Sequence, residues 1–134
     1  METRINRLFA GEERAFWLPM SRVIAFEREA GCSIFALFYA LGENLGAAES
    51  GDMVLIGASD ARLKQCHSLI SNALIGAGES EQEARDLIQT YCFPARPAIH
   101  DAALAFQILR AAIYGIQLPE GSKKKADDAT LSPS

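Results

Sequence analysis

The chain has 134 residues, the length of one domain, and 49% of them are hydrophobic, enough to build a core without a metal or a disulfide. Its formal charge is −4, and the excess acid sits between residues 43 and 90, which carry three basic and eight acidic side chains. That balance argues against a phosphate-backbone partner, which needs a basic face. The three cysteines, Cys32, Cys66 and Cys92, are widely spaced and form no C-x-x-C pair. They read as reduced, packed thiols of a cytoplasmic protein rather than as a metal or redox set. The stretch from Met1 to Arg14 has no apolar core segment, so no signal peptide is expected. The longest apolar run, IFALFYAL from Ile34 to Leu41, has eight residues, against the ~20 a bilayer span needs. No membrane partner is expected.

Residues 4–18 predict a β-hairpin with strands RINRLFA and RAFWL and a turn at Gly11-Glu12. A lone ribbon is marginal in water, so Phe9, Phe16 and Leu18 must rest on helices. Strand alternation sends Trp17 the other way. Pro19 ends the ribbon, and Ser21 is the expected N-cap of a helix, RVIAFEREA, closed by Gly31. Val23, Phe26 and Ala30 line its inner face, while Glu27 and Glu29 read as solvated charges. Ser33 caps the next predicted helix, IFALFYALGEN. Residues 42–58 then loosen around glycines, and MVLI within them is either a short strand or a loop tucked onto the core.

Asp60 or Ser59 starts a third predicted helix, ARLKQCHSLISNALI, with Leu63, Cys66, Ile70, Ala73 and Leu74 as its apolar stripe. Gly76-Ala77-Gly78 stops it. Ser80-Glu81-Gln82-Glu83 is a capping box, in which serine and glutamate satisfy each other's backbone N–H groups. The following helix turns Ala84, Leu87, Ile88 and Tyr91 inward. Pro94 and Pro97 break the chain before the last helix, AIHDAALAFQILRAAIYGI. Its polar residues fall near one thin stripe of His100, Gln107 and Arg110, as in a helix central to a bundle or shared with a partner. The expected fold is therefore mainly α: a bundle of four to five helices with an N-terminal hairpin over residues 1–118. The remaining residues 119–134, PEGSKKKADDATLSPS, read as a disordered polar tail. One core is expected to hold Phe26, Leu37, Leu63, Ile70, Leu87, Ile88, Phe106, Leu109 and Ile113.

No constellation for catalysis, metal or cofactor emerges. Cys66 and His67 are adjacent, so on a helix they point about 100° apart. A pairing of Cys92 with either histidine remains open, but no nucleophile elbow or glycine-built oxyanion site accompanies it. Both histidines read as polar helix positions or hydrogen-bonded core residues. Gly76 to Gly78 lacks the Lys-Ser/Thr of a phosphate loop. The helix that would enter a DNA groove, EQEARDLIQTY, is too acidic to do so. An enzyme and a nucleic-acid reader are thus both unexpected.

In order, the segments FAGEERAFWL, AFEREAGCSI, ALIGAGESEQEARDLI and ILRAAIYG resemble the gene transfer agent and phage tail protein family of tail tube or tail assembly chaperone-like components. The resemblance spans about residues 5–116. Ala98 and Phe26 stand where the family usually has leucine, with apolar character kept. The resemblance implies a non-enzymatic part in building a phage-like tail. The chaperone form of that role implies binding the tape measure protein before the tail tube polymerises. A structural component that stays in the particle, and a small helical adaptor unrelated to phage, are the alternatives. Self-association is left open. The surplus apolar surface expected at Trp17, Phe35, Phe38 and Tyr39 makes these the candidate partner-binding residues, with helix-in-groove docking as the natural mode.

Overall fold

A computed structural model describes residues 2–49 and 63–116. Two strands, β1 (Ile5–Phe9) and β2 (Glu12–Phe16), precede five helices: α1 (Met20–Ala30), α2 (Ile34–Glu49), α3 (Leu63–Gly76), α4 (Glu81–Tyr91) and α5 (Ala98–Tyr114). The fold is mainly helical with an N-terminal antiparallel hairpin, as expected. Asp60 and Ser59, the MVLI run and the polar tail lie outside the described residues.

The hairpin turn is one residue earlier than the sequence suggests. Phe9 pairs with Glu12, leaving Ala10-Gly11 as the loop, with φ of 56° and 84°. Two positive φ values match the twist of a tight hairpin, and glycine accepts the second at no steric cost. One ribbon face carries Ile5, Phe9 and Phe16 into the core, and Phe9 meets Phe16 edge-on with ring centroids 5.9 Å apart. Trp17 leaves this face as alternation requires.

The ribbon lands on the C-terminal end of α3. The Trp17 N–H donates to the Ala73 carbonyl at 3.0 Å. Gly76 is therefore more than a helix stop. A Cβ there would collide with the Trp17 carbonyl oxygen and would come within 2.5 Å of Pro19 Cδ. Both are backbone-anchored and cannot swing away. Gly76→Ala is expected to lower stability by about 1–3 kcal/mol, because backbone overpacking outweighs the gain in helix propensity. An unchanged or raised urea midpoint would contradict this close approach.

α1 begins at Met20 with Pro19 as its N-cap, and Ser21 lies inside the helix without a capping bond. Proline pre-sets the extended entry, so the serine expected to cap lies two positions too late. The Arg22 and Val23 N–H groups donate instead to the Pro19 carbonyl. The helix ends at Gly31, whose φ of 74° supplies the left-handed C-cap. α2 is anchored twice: the Ser33 hydroxyl accepts from the Ala36 N–H at 3.0 Å, and the Glu27 carboxylate accepts from the Ile34 N–H at 3.1 Å. Glu27 is thus a helix cap across a turn rather than merely a solvated charge. α2 also continues past Gly42 to Glu49, where the sequence suggests loosening. The tertiary contact explains this, since a Cβ at Gly42 would sit 3.4 Å from Phe106 Cε1. α2 packs on α5 at this point, and packing overrides the poor helix propensity of glycine.

α3 is the centre of the bundle, packing against α1, α4, α5 and β2, while α5 packs against α3 and α2. The sequence pointed to the last helix for this place; α5 shares it. Cys66, Leu69, Ile70, Ala73 and Leu74 of α3 meet Ala105, Ile108 and Leu109 of α5 within one buried cluster. Of the expected core, Phe26, Leu37, Ile70, Leu87 and Leu109 are buried, while Leu63, Ile88, Phe106 and Ile113 are half-buried. On α4 the Ser80 hydroxyl accepts from the Glu83 N–H at 3.0 Å, the first half of the capping box. Ala84 and Leu87 are buried; Tyr91 is exposed at its edge, its ring 6.5 Å from that of Phe9.

Candidate interaction surface

The eight-residue apolar run at the start of α2 divides by helical spacing. Ile34, Leu37 and Leu41 turn into the core. Phe35 and Tyr39 stand outside, 65% and 71% exposed. Phe38 lies between the two faces and stacks on Phe106 of α5, with centroids 5.0 Å apart and planes 3° from parallel. Its ring is also 5.8 Å from that of Tyr114, which is 66% exposed. Phe35, Phe38 and Tyr39 occupy positions i, i+3 and i+4 of one helix, and Tyr114 extends the patch across to α5.

Trp17 is placed differently from these three. It is half-buried, its indole N–H donates to Thr3 Oγ1 at 2.9 Å, and the Arg4 guanidinium lies 5.2 Å above its ring. Among the described residues its ring contact is with Arg4, and none joins it to the α2 aromatic side chains. The four candidates thus form a cluster of three and a separate tryptophan. Tyr114 belongs with the cluster and was missed. Its spacing from Phe106 on the last helix was the available signal, but the link to Phe38 depends on how two distant helices pack.

The buried polar chemistry lies elsewhere. Asp101 opens α5 on its inner side and is 0% exposed. One carboxylate oxygen accepts from His67 Nε2 at 2.8 Å and from the Phe93 N–H at 2.8 Å. The other accepts from Arg96 Nε at 2.6 Å. Burial alone would raise the Asp101 pKa, but these three donors outweigh it and hold the group below its ordinary 3.8. The carboxylate is therefore ionised at neutral pH and can only accept, so His67 Nε2 carries the proton. Arg96 also lies 5.2 Å over the Phe9 ring. One carboxylate therefore ties α3, the α4–α5 link and, through Arg96, the hairpin.

Cys92 completes a group with His67 and Asp101 whose ligand atoms lie within 4.8 Å of one another. This is the set among the described residues that could hold a metal. Arg96 already places a cation on the carboxylate, and the other oxygen is engaged by two donors, which disfavours a second cation there. Burial, followed by the Asp101 charge, pushes the Cys92 thiol up to about 12. Burial does the same to Cys66, also to about 12. Neither supplies a thiolate nucleophile at neutral pH. The Cys92–histidine pairing left open by sequence is thus a packed thiol beside an ion pair.

The sign of the acid response follows from Asp101. A depressed folded-state pKa contributes stability that is fully present above the unfolded value and is lost as pH falls through the folded one. Stability is therefore expected to drop as pH falls below about 3.9. Asp101→Asn should flatten that drop in urea titrations, and an identical acid slope in both proteins would refute the assignment.

A groove of about 410 Å³ runs beside this cluster, lined by Arg22, Glu29, Lys64, Ser71 and Ile88 among others. It lies between α1, α3 and α4, and one wall is the polar seam of α1 on α3. Buried Asn72 donates to Glu29 Oε1 at 3.1 Å and accepts from Arg22 Nη1 at 3.2 Å. The groove's charge is mixed, and on the α1–α3 side the polar groups are already paired with one another.

The family described as phage tail tube protein, GTA-gp10, matches residues 3–115, which is the hairpin and all five helices. The chain belongs to that family. No curated protein and no solved structure matches it. Membership in the GTA-gp10 family makes the chain a non-enzymatic protein of phage-like tails and sets aside the unrelated adaptor. Tail components are the partners that the family implies. Among the described residues, no helix is long and apolar enough to cross a membrane.

Proposed function

We propose that this chain is a cytoplasmic tail assembly chaperone that covers an apolar helical segment of the tape measure protein before the tail tube polymerises. The observation that carries the reading is the aromatic patch of Phe35, Phe38, Tyr39 and Tyr114. Large apolar side chains left exposed together cost solubility and usually mark an interface. Their i, i+3, i+4 order suits an incoming helix. Trp17 is a secondary contact in this scheme, since its ring is already engaged by Arg4.

Co-expression with the tape measure protein tests the proposal. The tape measure should become soluble and co-purify with the chain. A tape measure that stays equally insoluble, and never co-purifies, would end the chaperone reading. The family description itself favours a second reading, a structural component retained in the tail. Mass spectrometry of purified particles separates the two: a chaperone is lost from finished particles, whereas a component stays in fixed ratio to the tube subunit.

A further inference from the structure

We draw no further inference here: the strongest candidate, the aromatic surface patch of Phe35, Phe38, Tyr39 and Tyr114 shared by α2 and α5, carries nothing beyond the docking role already proposed for it, because nothing in the structure shows the chemistry of what covers it.

Discussion

Replacing Asp101 by alanine is expected to destabilise the fold by about 3 kcal/mol, toward the lower end of the range for breaking a buried ion pair. The loss arises from what is left behind. The Phe93 N–H, His67 Nε2 and Arg96 Nε would all lose their acceptor. His67 and Arg96 keep some access to water, with 21% and 26% of their side chains exposed, so solvent recovers part of the cost. The effect should reach the hairpin, because Arg96 holds Phe9 through its ring face. Trp17 is the chain's single tryptophan and follows the hairpin directly, so its fluorescence reports that docking. A lowered urea midpoint with an early change in tryptophan emission is the expected result. A midpoint unchanged within error would show that Asp101 is not a structural tie.

Phe26→Ala is expected to cost about 3–5 kcal/mol. Phe26 is the one fully buried residue of α1, so its ring is the main apolar anchor of that helix on the core. Val23 and Ala30 pack beside it only partly buried, and the other holds on α3 are polar: the seam through Asn72 and Glu29, and Gln65 Nε2 donating to the Ala30 carbonyl at 3.3 Å. Ile24 on the outer side of the same helix is the control, being 46% exposed. Its alanine variant should change stability by less than about 1 kcal/mol. Similar losses for Phe26→Ala and Ile24→Ala would contradict the packing of α1.

Local signals carried most of this fold into the sequence. The glycine at the hairpin, the Ser80 cap and the stripe through Cys66, Ile70, Ala73 and Leu74 each act within a few residues, so spacing reveals them. Features made by distant contacts were not legible. Gly42 looks like a helix breaker until Phe106 is seen against it. Glu27 looks solvated until the chain turns at Gly31 and brings the Ile34 N–H to it. Asp101 was the one acid in a nearly apolar helix, but its donors come from α3 and the α4–α5 link. The candidate surface was half legible. Aromatic spacing on α2 marks Phe35, Phe38 and Tyr39, whereas Tyr114 joins them only through helix packing. Trp17 follows alternation, but its indole is occupied by Thr3 and Arg4.

The measurement that bears most directly on the chaperone assignment is co-purification of the tape measure protein with the double variant Phe35→Ala, Tyr39→Ala. Both side chains are largely exposed, so the variant should unfold at nearly the wild-type midpoint. Wild-type chain should hold the tape measure in solution and the folded variant should release it to the pellet. A folded variant that retains the tape measure as well as the wild type would contradict the account.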